Sequence, residues 1–293
     1  MRLRASVDNV ALLTGLAHTA ASVSSPCYLH FTPNTFRLIS PAGQDGVQIW
    51  ATLEAAALFS DYRIESHNNN EITVEVSAES LARVLRSAAG ALEVMIRLGK
   101  RDRDPLLSFS ITMTSYSGAK LNVSQELLIR ILRTQELSLI AEPMCPTPDV
   151  YVVMPPLAEV KSVAEQMRSL SNQVCLGANH SGAFKLAVID PEVVGDAIWT
   201  GLEHPHVSNQ SAEQLPPATR QAWQEVSLNM RAFQNVLGCA PLAKSTVACI
   251  CTNYCIVFYV YLNGQSHKPL HRTNGSSGPG VLNFVIAGLD TGI

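Results

Sequence analysis

Charge is scarce in this 293-residue chain: Asp, Glu, Lys and Arg together make up 15% of it. That is no composition for a solvent-swollen disordered chain, and 47% apolar residues supply material for substantial cores. A formal net charge of −3 lacks the global basic signature of a nucleic-acid binder, while leaving room for a local basic face. A membrane-spanning run is missing. The most apolar stretch, VACICTNYCIVFYVYL (Val247 to Leu262), is shorter than the ~20 residues a span needs and is interrupted at Thr252-Asn253. It reads as two buried strands around a two-residue turn. The opening MRLRASVDNVALLTGLA spaces its apolar residues like a helix face, without the compact apolar core of a secretion signal. The expectation is a reducing, intracellular compartment with free thiols at Cys27, Cys145, Cys175, Cys239, Cys249, Cys251 and Cys255.

Signatures of catalysis and metal binding are equally thin. Gly-x-Ser-x-Gly, the Walker loop and His-Glu-x-x-His do not occur. Cys249, Cys251 and Cys255 lack the paired Cys-x-x-Cys spacing of a zinc site, and alternation puts the first two on one strand face as small buried hydrophobes. His204-Pro205-His206 has no evident third ligand and reads as a loop. No metal or cofactor is expected. CLGANHSGAFKLA (Cys175 to Ala187) gathers a cysteine and a histidine, so Cys175 or His180 is the place to look for a small-molecule enzyme. The Gly/Ser-rich stretch Gly264 to Gly280 reads as a hairpin insertion. Its His267, Lys268, His271 and Arg272 could touch a partner or DNA. GKRDRD (Gly99 to Asp104) is mixed in sign and reads as an exposed turn.

What the sequence does contain is a duplication. At a constant offset of 148, Cys27 falls on Cys175, Phe36 on Phe184, Arg37 on Lys185 and Leu38 on Leu186. Both copies read strand, turn, strand, with Pro33-Asn34 in one turn and Ser181-Gly182 in the other. In the second copy His180 falls on Thr32, so the strand residues repeat and the reactive ones do not. A helical pattern precedes each copy: Leu12, Leu13, Leu16 and Ala20 in one, Val160, Val163, Ala164 and Met167 in the other. A second pair follows, EVSAESLARVLRSAAG from Glu75 and EVSLNMRAFQNVLGCA from Glu225. There Ser77 and Ser227 stand as N-caps of short amphipathic helices. So long an offset excludes a solenoid and fits an α+β fold of two duplicated domains, each with antiparallel strands and two helices on one face. The join lies at 131–148, where ILRTQELSLIAEPMCPTP breaks the periodicity and ends rich in proline. The domains are then 1–130 and 149–293.

Such a pair of domains resembles the DNA sliding-clamp family (PCNA-like). MRLRASVDNVALLTGLA is similar to the first strand and first pore helix of clamps, and APLAKSTV (Ala240 to Val247) to the segment after the last pore helix. NNEITVEVSAESLARVLRSA and PDVYVVMPPLAEVKSVAEQMRSLSNQV resemble one branch, the Hus-type (hydroxyurea-sensitive) subunit of the heterotrimeric nine-one-one checkpoint clamp. The similarity covers nearly the whole chain.

The resemblance implies a non-catalytic subunit of a ring, with helices lining the hole and sheets outside. It implies two other clamp subunits as partners, double-stranded DNA held through the pore without base readout, a clamp loader, and repair and checkpoint proteins. It implies action in the nucleus, and in the cytoplasm too, in damage signalling and the cell cycle. The DNA-facing residues would be Arg83, Arg86, Lys161, Arg168 and Arg231, with Glu159 and Glu165 offsetting part of that charge. Where replicative clamps place lysines on the first helix, this chain has Leu13, Thr14 and Ala20. Ring closure would use edge strands at Leu106 to Thr114 (Leu107, Phe109, Ile111) and at Gly195 to Gly201 (Ala197, Ile198, Trp199). The connector would offer Leu132, Leu137, Leu139 and Ile140 either to client peptides or to the protein's own sheet. The alternative is a homotrimeric replicative clamp, against which stand the missing lysines and the missing acidic tail.

Overall fold

The computed structural model describes residues 1–115, 118–137, 140–190, 192–205, 216–263 and 280–289. They cluster into two compact units. The first is built mainly from Met1–Gly43 and Ile49–Glu142, the second mainly from Gln44–Gln48 and Pro143–Leu262 with residues 282–289.

In the first unit the chain runs β1 (Arg2–Val7), α1 (Val10–Val23), β2 (Cys27–Phe31), β3 (Thr35–Ser40), β4 (Val47–Glu54), the single turn α2 (Ala55–Leu58), β5 (Phe59–Glu65) and β6 (Ile72–Val76). It continues through α3 (Ala78–Ser87), β7 (Glu93–Arg101), β8 (Asp104–Thr114), β9 (Lys120–Leu128), β10 (Arg130–Ile131) and the short α4 (Thr134–Leu137). One antiparallel sheet has the order β5-β1-β7-β8-β9, and the other runs β10-β6-β2-β3-β4.

The helices begin where short polar side chains can satisfy free N–H groups. Asn9 Oδ1 accepts from Leu12 N at 3.0 Å, and Ser77 Oγ from Ser80 N at 3.3 Å. Pro26, which cannot extend a helix, follows the end of α1. Leu12, Leu13, Leu16 and Ala20 of α1 and Leu81 and Leu85 of α3 are buried, and the two helices pack on each other.

The second unit repeats the plan: β11 (Val150–Val153), α5 (Leu157–Met167), β12 (Gln173–Asn179), β13 (Ala183–Ile189), β14 (Val194–Trp199), the short α6 (Pro217–Gln221) and β15 (Gln224–Asn229). It closes with α7 (Met230–Leu237), β16 (Ala243–Cys251), β17 (Cys255–Leu262) and β18 (Gly280–Ala287). Its sheets run β14-β13-β12-β15 and β11-β16-β17-β18. Phe233 of α7 and Phe258 of β17, both fully buried, meet with ring centroids 6.0 Å apart. Burying a phenylalanine stabilises by about 1.5–3 kcal/mol, so such contacts fix the helices to the sheets.

Four expectations need correcting. Strand β8, carrying Leu107, Phe109 and Ile111, is no edge: β7 flanks it on one side and β9 on the other. All three side chains are buried, because strict alternation turns them toward the core. Ser227 lies inside β15, and the cap of α7 is Asn229, whose Oδ1 accepts from Arg231 N at 2.8 Å. The turn between β16 and β17 has three residues, since Cys251 and Cys255 lie opposite each other and Asn253 takes φ +57°. Leu132 is 7% exposed and its N–H donates to Thr73 O, so it belongs to the core of its own unit and offers no side chain to a client.

Candidate nucleic-acid interface and open strand edges

In the first unit, α1 presents almost no charge to solvent. Leu13 and Ala20, which stand where the clamp resemblance places lysines, are buried, and Thr14 Oγ1 donates to Val10 O at 2.6 Å. His18 is its one exposed ionisable residue. The basic positions sit on α3, where Arg83 and Arg86 are exposed one helical turn apart beside Glu79. Among the described residues no carboxylate lies within ion-pair reach of either guanidinium.

The second unit's helices α5 and α7 also pack together, and their bases are tempered by acids. Lys161 Nζ is 3.9 Å from Glu165 on the same helix face, and Arg231 Nε is 3.6 Å from Asp45. Arg168 caps the C-terminal end of α5, where a positive charge complements the helix dipole. Glu159 accepts a hydrogen bond from Trp199 Nε1 at 2.7 Å. Asp45 as the partner of Arg231 had no signal in the sequence, where the two are far apart.

Among the described residues the sheets end on β5 and β9, on β10 and β11, and on β14 and β15, and two of these end strands carry exposed large apolar side chains. One is β9, which pairs only with β8. Its exposed Leu121 (50%) and Leu128 (55%) and its terminal Lys120 are what sequence reasoning passed over. A lysine-led, largely polar strand following one that alternates apolar and polar residues was the available signal. The other is β14, which pairs only with β13. Val194 and Ile198 (49%) face solvent, while Trp199 turns inward, its ring 5.9 Å from that of Phe184.

The connector is divided. Leu137 lies in α4, Ile140 is half-buried, and Leu139 lies outside the described residues. Beyond them Cys145 packs against Cys249, Val257 and Val285 on the second unit's sheet, and Cys251 Sγ donates to Pro146 O at 3.4 Å. Residues 264–279, with His267, Lys268, His271 and Arg272, and likewise His206, lie outside the described residues.

The stretch from Cys175 to Ala187 is a hairpin. Asn179 Oδ1 accepts from Ser181 N and Ala183 N at 3.0 and 3.1 Å, closing the turn. Gly182 has φ +77°, and a Cβ there would meet Leu202 O at 2.3 Å, so no side chain fits. The Cys175 thiol donates to Glu225 at 3.6 Å, and burial, with Glu225 adding to it, pushes its pKa up to about 11. A thiol so held is protonated at neutral pH and no nucleophile. His180 is lowered, first by burial and then by His204, whose own nitrogens lie 2.8 and 3.1 Å from the carbonyls of Tyr151 and His180.

Two α+β units, each carrying two packed helices and two antiparallel sheets, define the class: this is a sliding-clamp fold. The Proliferating Cellular Nuclear Antigen of Entamoeba histolytica superimposes with a TM-score of 0.70 over 98% of both chains, at 12% identity. The chain belongs to the Hus1-like protein family, whose model matches residues 1–288. Checkpoint protein hus1 of Schizosaccharomyces pombe is 30% identical over 267 residues, covering 89% of this chain and 93% of that protein. Human Checkpoint protein HUS1 is 27% identical, over 90% of this chain and 95% of that one. A homotrimeric replicative clamp is not favoured, since these relatives are checkpoint proteins.

Proposed function

We propose that this chain is a non-catalytic subunit of a heterotrimeric, ring-shaped DNA clamp in damage-checkpoint signalling and repair, set onto damaged DNA by a clamp loader in the nucleus. The observation that carries the reading is the family match along residues 1–288 on a clamp fold. The clamp domains are 1–130 and 149–293, joined by the connector 131–148.

In this reading β9 of one subunit and β14 of the next complete each other's hydrogen bonding. Unpaired edges carrying exposed Leu121, Leu128, Val194 and Ile198 support it, because such edges otherwise invite aggregation. Arg83 and Arg86 face the duplex phosphates, with Lys161, Arg168 and Arg231 contributing less, since Glu165 and Asp45 compete for two of them. Contacts to phosphate alone hold DNA without reading sequence, which sliding requires. With α1 nearly uncharged, the other two subunits supply most of the field.

Co-expression with two candidate clamp subunits, followed by light-scattering mass measurement, tests this. A single one-to-one-to-one species is expected. A stable trimer of this chain alone, or failure to bind any clamp partner, overturns it.

A further inference from the structure

On the outward face of the sheet β5-β1-β7, Arg63, Arg4 and Arg97 stand directly opposite one another across three strands. All three are exposed. Like charges directly opposite in a sheet are destabilising, and this chain, poor in charge throughout, places three in one row. Among the described residues no carboxylate comes within ion-pair reach of any of them. The polar contact within the row is Arg97 Nε donating to Met95 Sδ at 3.2 Å.

The surroundings shape the row into a site of limited size. Strands lie about 4.8 Å apart, so the three arginine stems span about 10 Å. An irregularity in the β1–β5 pairing falls between Arg4 and Ser6, with Asp61 of β5 at φ +46°. Bulges of this kind raise local twist and re-aim neighbouring side chains. Alongside runs a row of hydroxyls, Ser60 opposite Ser6 and Ser110 opposite Ser124 with Met95 between, of which Ser60 is taken up by donating to Asp8 Oδ1 at 2.6 Å. Carboxylates bound the strip. Glu65 pairs with Arg2 at 3.8 Å, Glu126 pairs with Arg101 at 3.0 Å, and Glu93 lies further along β7.

We infer that this strip docks a short phosphorylated peptide segment, one phosphate taking the Arg63–Arg4–Arg97 row. A phosphomonoester dianion offers three acceptor oxygens to three guanidinium forks, whereas a carboxylate offers two. Nucleic acid would need a longer basic track, and here the row runs from the terminal strand β5 only as far as β7, with Ser108 and then Glu126 next in line. The inference is independent of ring assembly and DNA passage.

Fluorescence anisotropy of the full chain with a short labelled peptide bearing one central phosphoserine tests it, at physiological ionic strength. The serine and glutamate versions of the peptide and a single-stranded oligonucleotide serve as competing probes. The phosphopeptide should bind best, and Arg4→Gln or Arg97→Gln should each weaken it at least about tenfold. Arg4→Gln, by relieving repulsion, should leave the melting temperature unchanged or raise it. Equal binding of the serine peptide overturns the inference, as do tighter binding of the oligonucleotide, unaltered binding by both variants, or no phosphopeptide binding at all.

Discussion

Ser87, the last residue of α3, and Gln125, on the edge strand β9, are joined side chain to side chain: Gln125 Nε2 donates to Ser87 Oγ at 2.9 Å. The bond ties the helix that carries Arg83 and Arg86 to an open strand edge. Being exposed, it is worth little, and Gln125→Ala should cost about 0.5 kcal/mol in urea unfolding. Adding Ser87→Ala should cost less than Ser87→Ala does alone, since Gln125 is already gone and only the bond from Ser87 Oγ to Val84 O remains to be lost; fully additive losses would deny the coupling.

The burial of β8 separates folding from assembly. Phe109→Ala should destabilise the chain by about 3–5 kcal/mol, the usual cost of emptying a core phenylalanine site. Circular dichroism against temperature reads it. A loss under about 1 kcal/mol would return Phe109 to the surface.

Substitution on the true edges should do the reverse. Leu128→Glu and Ile198→Glu, at half-exposed side chains, should leave the unfolding midpoint within about 0.5 kcal/mol of the parent. In co-purification with clamp partners each should release one neighbour. Retention of both neighbours by both variants would rule these strands out of ring closure.

Reversing charge on α3 should act on DNA alone. In an assembled ring, removing Arg83 and Arg86 deletes up to two phosphate contacts, which lowers the slope of log affinity against log salt by about 2. Arg231→Ala should do less, because Asp45 already holds that guanidinium. An unchanged slope in Arg83→Glu/Arg86→Glu would clear α3 of any DNA contact.

Stability should fall on both sides of a neutral plateau. Burial pushes the thiols of Cys27, Cys239 and Cys249 up to about 12 and that of Cys175 up to about 11, from an ordinary value of 9.0. Above about pH 9 the unfolded chain therefore sheds protons that the folded one keeps, and stability declines as pH rises. His30, buried against Thr73, and His180 are lowered by burial, so acid favours the unfolded chain as pH falls through about 6.5. Urea midpoints across this range should trace the plateau, and a midpoint that climbs above pH 9 would contradict it.

Much of this architecture was legible because duplication writes the same pattern twice. The alternation around Phe36 and Phe184 and the spacing of Leu12, Leu16 and Ala20 are local properties, and local properties survive in one dimension. Strand order does not. Leu107, Phe109 and Ile111 look alike whether β8 ends a sheet or sits inside it, and the pairing with Val123, Gln125 and Leu127 decides that. Ser227 was a reasonable cap by residue type, but β15 extends to Asn229 before the backbone turns. Leu132 shows the same limit: apolar connector residues cover whichever surface the chain meets first. Among the proposed site residues, the bases on α3 could be placed by helical periodicity. The quenching of Arg231 by Asp45 could not, because it joins residues distant in sequence.

The cysteines give the chain one further property. Cys145 alone is partly exposed, while every other cysteine is buried. It sits just beyond α4, resting on the sheet that holds Cys249. A maleimide dye added to the native protein would therefore mark one place without any engineering. The wild-type sequence carries its own fluorescent reporter position, at the point where the connector meets the second unit.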